Sequence, residues 1–254
     1  MSALSDGKMC FDMKLSYFTC IGLLFQFFCI SKIYSQQFTD SVLRLESVHN
    51  IRQDYLIGIG DNAEIYHGSE FIRNGIKAVG FPFFETDGMV PASVSYQGNT
   101  YANLNLYYNL VSDEIIISNY AHNALITLPH DKIDSFTIGN HVFISLNTKD
   151  FAGLYSDGFY EQLFSGEVAI YAKREKRLVI GTGSEENKYI QYDNFFIKLK
   201  NVFYKVDGKN SLLELFKDQE PALKKYIRTH KLNFKKKLES SLVLTTIYYS
   251  QLTH

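Results

Sequence analysis

The sequence has no tryptophan, only four prolines in 254 residues, and no cysteine after position 29. Its three cysteines are Cys10, Cys20 and Cys29. Beyond Cys29 the chain therefore forms no disulfide, holds no thiolate-ligated metal and offers no thiol nucleophile. Twenty phenylalanines and 18 tyrosines supply ample core material instead. We expect a fold stabilised by packing rather than by covalent cross-links.

The sequence also lacks an excess of either charge. It has 26 basic and 27 acidic residues, and its formal net charge is −1. Nucleic-acid binding needs a basic field that neutralises phosphates. The composition therefore excludes nucleic acid as the main partner.

The first residues resemble an export signal. After Met13 and Lys14, an apolar run extends from Leu15 to Ile30, and the small residue Ser35 follows a short polar stretch. This order is typical of a secretory signal peptide. The run is shorter than the roughly 20 apolar residues that span a membrane. We expect residues 1–35 to be a cleaved signal peptide, with Met13 as an alternative start, and no transmembrane helix after its removal.

Residues 36–208 show the pattern of an antiparallel β-rich domain. In the clearest hairpin, apolar and polar residues alternate on both sides of Gln97-Gly98-Asn99. Gly and Asn tolerate the positive φ that tight hairpin turns need, so this pattern predicts two paired strands. Similar turn signals occur at Val111-Ser112-Asp113, Gly139-Asn140, Ser165-Gly166 and Lys200-Asn201. The spacing predicts a sandwich, a barrel or a roll.

In residues 209–254 the apolar period changes to that of helices. Ser211 is expected to cap one helix, and Asp218 comes before Glu220 and Pro221, a favourable helix start. Asn233 is expected to cap a further helix that carries Leu238 and Leu242. We predict two or three helices that pack on the sheet, because an isolated helical hairpin of this size is marginally stable. The fold class is therefore mainly β with a C-terminal helical appendage.

No reactive motif stands out. His122, His130 and Asp131 lack the spacing of a metal site, and His49, His67 and His141 are scattered. Gly58-Ile59-Gly60-Asp61-Asn62-Ala63 matches a dinucleotide-binding glycine pattern, but the residues that follow it read as strand and turn rather than helix. Gly181-Thr182-Gly183-Ser184 lacks the lysine of a phosphate-binding loop. We assign no catalytic, cofactor-binding or metal-ligating residue, and no cofactor.

Two alternatives remain open. An enzyme acting on glycans or peptides would need distant polar residues to converge in a cleft, from among His67, His122, His130, Asp113 and Glu114. An adaptor would use the locally basic tail to dock on an anionic surface. The basic residues of that tail are Lys217, Lys224, Lys225, Arg228, Lys231, Lys235, Lys236 and Lys237. A solvated helix face is the ordinary interpretation of such a charge run, and the sequence by itself favours it.

A stretch of about fifty residues carries a recognisable pattern of turn and sheet residues. These are Tyr66/Gly68, Gly80-Phe81-Pro82-Phe83-Phe84, Tyr96/Gly98/Tyr101, Leu106/Tyr108/Asn109 and Asp113/Glu114. In these residues the stretch resembles a family of uncharacterised exported proteins of Bacteroidetes-type bacteria. The closing helices are also similar to that group. The resemblance implies a Gram-negative envelope setting and no particular activity. Asn109 stands where that pattern has Asp, which weakens any ligand role for the position.

The sequence therefore predicts an exported protein, in the periplasm or associated with the outer membrane, or secreted. We expect a non-enzymatic role in binding or assembly, with an envelope protein or a surface ligand as the unknown partner. The oligomeric state stays open.

Overall fold

Antiparallel strands dominate the part of the chain that the computed structural model describes, which is residue 55 and residues 58–73 and 75–253. The chain divides into two units, residues 1–59 and Gly60–His254. In the first unit only Tyr55, Gly58 and Ile59 are described, and their backbone is helical. The predicted signal peptide, residues 1–35, lies outside the described residues.

Eleven strands in the described residues form one sheet with the order β1-β5-β4-β3-β2-β6-β7-β8-β9-β10-β11. The strands are β1 Ser69–Glu70, β2 Val90–Tyr96, β3 Asn99–Asn109, β4 Glu114–Ser118, β5 Leu125–Thr127, β6 Ile133–Ile138, β7 His141–Leu146, β8 Gly158–Phe164, β9 Val168–Val179, β10 Lys188–Leu199 and β11 Val202–Val206. Helices α1 Lys209–Leu215, α2 Glu220–Thr229 and α3 Leu238–Thr253 follow the sheet. The mainly β, antiparallel fold with C-terminal helices is confirmed.

The structure confirms the predicted hairpins, and two of them show the turn conformation expected from their residues. β2 and β3 pair across Gln97 and Gly98, whose φ angles are 50° and 72°. β10 and β11 pair across Lys200 and Asn201, with φ angles of 49° and 67°. Two successive residues with positive φ match the twist of the flanking strands, which explains why these two-residue loops close the hairpins.

The sheet is open and strongly curled. Its edge strands β1 and β11 are not paired with each other among the described strands, so it does not close into a barrel. The Lys176 amide of β9 nevertheless donates to the Leu110 carbonyl at the end of β3 (2.9 Å), although five steps in the strand order separate β3 from β9. Of the three predicted arrangements, a roll fits this geometry. The curl brings the β3–β4 turn onto β8 and β9.

The three helices pack against one end of the sheet. They share a core with β9, β10 and β11, in which Ile170, Ile197, Leu212, Leu223 and Leu242 are fully buried. Each large aliphatic side chain buried in this way stabilises the fold by about 1.5–3 kcal/mol. No helix among the described residues is both long enough and apolar enough to cross a membrane.

Two predicted caps lie in different places from those expected. Ser211 is the third residue of α1 rather than its cap, and its hydroxyl accepts the Gly208 amide (3.2 Å). The Asn233 side chain accepts the Lys235 and Lys236 amides (3.1 Å each), in a turn that comes just before α3 begins at Leu238. In both cases the polar side chain satisfies amides near a helix start, but the helix boundary is shifted.

Candidate functional site

The curled sheet brings Asp113, in the β3–β4 turn, against β8 and β9. Asp113 has a left-handed backbone, with a φ angle of 59°. Its Oδ2 lies 2.5 Å from Lys173 Nζ and accepts the Phe159 amide (3.1 Å). Its Oδ1 accepts the Tyr108 hydroxyl (2.6 Å). Both carboxylate oxygens therefore have partners on other strands.

Lys173 is the buried cation of this cluster, with only 4% of its side chain exposed. Its ammonium donates to the Phe159 carbonyl (3.2 Å) and lies 5.1 Å from the centre of the Tyr160 ring. Gly158, with a φ angle of 138°, leaves the space that the ion pair occupies. A Cβ atom there would lie 2.1 Å from Asp113 Oδ2 and 2.2 Å from Lys173 Nζ. The cluster is closely packed.

The electrostatics of the cluster favour charged Asp113. Burial by itself would raise the pKa of its carboxyl. The nearby His130 and Lys173 side chains outweigh burial, and the pKa of Asp113 is lowered from its ordinary value. Burial, followed by the charge of Asp113, raises the pKa of the Tyr108 hydroxyl well above its ordinary value. At neutral pH the Asp113 side chain is therefore a carboxylate and the Tyr108 side chain a neutral phenol.

The structure brings together two of the five residues considered for a dispersed enzyme site. His130 Nε2 lies 3.7 Å from Asp113 Oδ2, and the His130 ring packs on Phe159 with centroids 4.2 Å apart. Glu114 instead accepts the hydroxyl of its neighbour Ser112 (2.6 Å). The other two, His67 and His122, are exposed and take no part in the cluster.

A second buried charge network surrounds Arg174, on the face of β9 opposite Lys173. The Arg174 guanidinium binds Glu161 Oε2 at 2.6 and 2.7 Å. It also contacts Glu239 of α3 (2.7 Å) and Asp193 of β10 (3.2 Å). On the other side, Glu161 Oε1 lies 2.5 Å from His141 Nδ1. The network therefore ties the sheet to its longest helix.

The Arg174 network also holds charge in a buried setting. The side chains of Arg174 and Glu161 are 7% and 4% exposed. Burial would lower the pKa of Arg174, but its bond to Glu239 and the charge of Glu161 outweigh burial and raise the pKa. Sequence reasoning did not single out Arg174 or Glu161. The available signal was the run of charged residues within a strand that is otherwise buried.

Among the described residues, we assign no cofactor-binding site to the two glycine-rich loops and no metal site to the histidines considered as ligands. After Gly58 and Ile59 come short 3₁₀ helices at Gly60–Asn62 and Glu64–Tyr66, and then β1. The prediction of strand and turn after this loop is therefore wrong for Glu64–Tyr66 and right for Ser69–Glu70. In Gly181–Ser184 the Gly181 amide donates to the Asn187 side chain (3.1 Å). No group of three or more His, Cys, Asp or Glu side chains in the described part could hold a metal ion.

An open groove of about 1010 Å³ lies between the start of α1 and the end of α2 with the segment that follows it. We call it the basic groove. Its apolar lining is Ile227, Leu232 and Phe234. Its polar lining is Asp207, Lys209, Asn210, Lys224, Arg228, Lys231, Asn233 and Lys235. Five cations therefore face the groove together with one carboxylate.

Most cations of the basic groove have no acidic partner in the described part of the chain. Lys224 pairs with Glu220 on its own helix (2.6 Å). Ion pairs between described residues involve none of the other four, Lys209, Arg228, Lys231 and Lys235. Two further acids of the tail are engaged elsewhere, since Glu239 binds Arg174 and Asp218 accepts the Tyr249 hydroxyl (3.3 Å). The fold thus leaves the groove positively charged.

Lys231 occupies an unusual backbone position at the edge of the basic groove. Helix α2 ends in a Schellman motif: the Leu232 amide donates to the Ile227 carbonyl (3.0 Å) and the Lys231 amide to the Arg228 carbonyl (3.2 Å). The residue at this position is left-handed, with a φ angle of 52°, and glycine is the residue that usually occupies it. A lysine there strains the backbone and places a cation at the groove.

Comparison of the chain with protein-family models, with curated proteins and with solved structures finds no match.

Proposed function

We propose that this protein is an exported, non-enzymatic component of the cell envelope that works by binding, and that the basic groove is its binding surface. One observation carries the proposal: four cations that lack acidic partners among the described residues line one groove. Like charges held close together repel one another, and an anionic ligand relieves that repulsion. The groove therefore favours anions over neutral ligands.

The Asp113 cluster is the part of the structure that favours the enzyme alternative. A carboxylate beside a histidine can orient a catalytic base. Here the Asp113 carboxylate also pairs with Lys173 and accepts two further hydrogen bonds, so it is committed to holding the β3–β4 turn on β9. We therefore assign the cluster a structural role. Loss of a glycan- or peptide-cleaving activity in His130→Ala would show the contrary.

Export is supported by the sequence features of residues 1–35 and by the resemblance to exported Bacteroidetes-type proteins. To test it, the full sequence is expressed in a Gram-negative host and the cells are fractionated. We expect the protein outside the cytosol, with Gln36 as its first residue by mass spectrometry. Recovery of the uncleaved chain from the cytosol would overturn this part of the proposal.

Binding is tested with defined anionic probes. The protein is purified from the Gram-negative host in the form that the host produces. It is titrated with polyglutamate, polygalacturonate and phosphatidylglycerol-containing vesicles at two salt concentrations. We expect at least one probe to bind, more weakly at high salt because exposed charges are screened. Failure of all three probes at low salt would contradict the proposed surface.

A double variant locates the binding surface. Arg228→Glu combined with Lys231→Glu is expected to weaken binding about tenfold or more, since two attractive charges become repulsive. The matched control combines Lys217→Glu with Lys225→Glu. It changes the net charge equally at exposed tail positions outside the groove. Equal losses in both double variants would show that net charge, and not the groove, governs binding.

A further inference from the structure

We infer that the basic groove binds an extended acidic peptide segment that also carries apolar side chains, as part of a partner protein. The inference rests on the proposed function and specifies its ligand. Two properties of the groove support it: its size and openness, and the distribution of charge and apolar surface.

The size of the groove indicates a ligand with length. Pockets that enclose a small molecule have volumes of about 300–1,000 Å³. The basic groove, at about 1010 Å³, slightly exceeds that range and is open to solvent. A single phosphate or carboxylate would contact only part of the lining. A chain lying along the groove would contact cations from both sides.

The two sides of the groove come from different elements. Lys209 and Asn210 belong to the first turn of α1, whereas Arg228 lies near the end of α2 and Lys231 and Lys235 lie in the segment that follows. Acidic side chains of an extended peptide would reach these cations on either side. Carboxylates prefer such ammonium and guanidinium partners, and a guanidinium can bind a carboxylate through two hydrogen bonds.

The apolar lining distinguishes a peptide from other anions. Ile227 is buried, and Leu232 and Phe234 are half-buried, so part of the groove surface is hydrocarbon. Apolar side chains of a peptide would cover this surface and gain free energy from its burial. An acidic polysaccharide has no such side chains. A flat bilayer surface would meet exposed lysines outside the groove, such as Lys225 and Lys236, as readily as those within it.

The backbone position of Lys231 provides a control for the role of its charge. Left-handed conformations of residues other than glycine are strained, and Lys231 is one of eight such residues in the described part of the chain. A second lysine with a left-handed backbone, Lys200, lies in the β10–β11 turn and does not line the groove. The chain therefore offers a matched pair of lysines with similar backbones and different surroundings.

The test compares four anionic probes, of which the two peptides carry equal numbers of carboxylates. A synthetic peptide in which glutamate alternates with leucine, polyglutamate, polygalacturonate and phosphatidylglycerol-containing vesicles are titrated into the protein by calorimetry. We expect the mixed peptide to bind most tightly. Polyglutamate is expected to bind about tenfold more weakly, because it lacks the side chains that would bury the apolar lining.

The variants Lys231→Gly and Lys200→Gly complete the test. Lys231→Gly keeps the helix end and removes the cation, and it is expected to weaken binding of the mixed peptide about threefold. Lys200→Gly makes the same change of charge and should leave binding unchanged. Equal effects of the two variants would overturn the role of Lys231.

The pattern of probe binding separates this inference from the proposed function. If vesicles or polygalacturonate bind tightly and the mixed peptide does not, the inference is wrong and the proposed anion-binding function stands. If none of the four probes binds, both are wrong. If polyglutamate binds as tightly as the mixed peptide, the apolar lining takes no part and the inference is again overturned.

Discussion

Two buried cations of β9 and the exposed cations of the basic groove differ in their ion-pair partners. On β9, Lys173 and Arg174 are buried. Lys173 lies within hydrogen-bond distance of Asp113 in the β3–β4 turn, and Arg174 within hydrogen-bond distance of Glu161 on β8. On the tail, Lys209, Arg228, Lys231 and Lys235 face one groove without an acidic partner among the described residues. The comparison teaches that a cation committed to the fold and a cation available to a ligand differ in their partners, not in their residue type.

The energetic consequences of the two arrangements also differ. Removing one member of a buried pair leaves an uncompensated charge in a poorly solvated place, which is strongly destabilising. Removing a solvated, unpaired cation changes stability little and can relieve repulsion. Each of the following predictions tests one side of this contrast.

The largest effect is expected for Arg174→Met. Glu161 would keep a buried carboxylate without its main counter-ion, at a cost of about 3–5 kcal/mol in the free energy of unfolding. Chemical denaturation measures the change. Arg177→Met, which removes an exposed cation from the same strand, is the control and should cost no more than about 1 kcal/mol, because it loses only the contact of its guanidinium with the Tyr192 ring (5.0 Å). Similar losses in the two variants would break the contrast.

Gly158→Ala is expected to cost about 2 kcal/mol or more. An added Cβ would meet both members of the Asp113–Lys173 pair and would adopt a φ angle that alanine disfavours. Gly98→Ala is the comparison, since Gly98 also has a positive φ, at 72° rather than 138°, and an added Cβ there would meet no heavy atom within 4 Å. That control should cost about 1 kcal/mol. If the two variants cost the same, the packing of the ion pair is not tight.

Asp113→Asn should change the pH dependence of stability. The folded pKa of Asp113 is lowered, so its charge stabilises the fold fully above its ordinary pKa of 3.8. That contribution is lost as the pH falls through 3.8 towards the lower folded pKa. The stability difference between wild type and variant should therefore shrink from pH 6 towards pH 3, as measured by urea unfolding. A constant difference would show that Asp113 acts only through its shape.

The smallest effect is expected in the groove, where Lys231→Gly should raise stability by up to about 1 kcal/mol. Glycine adopts the left-handed conformation at the end of α2 without strain, and one repulsive charge is lost. Thermal unfolding measures the gain. Arg228→Gln, at an exposed helical position, is the comparison and should stay within about 0.5 kcal/mol of wild type. A loss of stability in Lys231→Gly would show that this lysine stabilises the fold.

The predicted features that the structure confirms depend on local chemistry. The β2–β3 and β10–β11 hairpins follow from alternating residues and from turn residues that tolerate positive φ, all within a short stretch of chain. The positions of Ser211 and Asn233 were less well predicted. A polar side chain that satisfies helix-end amides does not by itself fix the residue at which the helix begins.

The buried clusters could not be predicted in the same way. Asp113 and Lys173 are 60 residues apart, and they meet because the sheet curls. His130 joins them while His122 does not, although both were equally plausible as members of a dispersed site. Asn109, considered as a weakened ligand position, accepts the amide of Val111 (3.0 Å) and shapes the same turn.

The sequence by itself determined the alternation of strands and turns, the change to a helical period near residue 209, and the absence of thiol chemistry beyond Cys29. These properties depend on residue type and on neighbours along the chain. Only the tertiary structure decided which charges are neutralised. Glu239 of α3 binds Arg174 of β9, whereas Lys231 faces an open groove. The physical reason is that Coulomb interactions depend on distance in space and on burial, and the fold sets both.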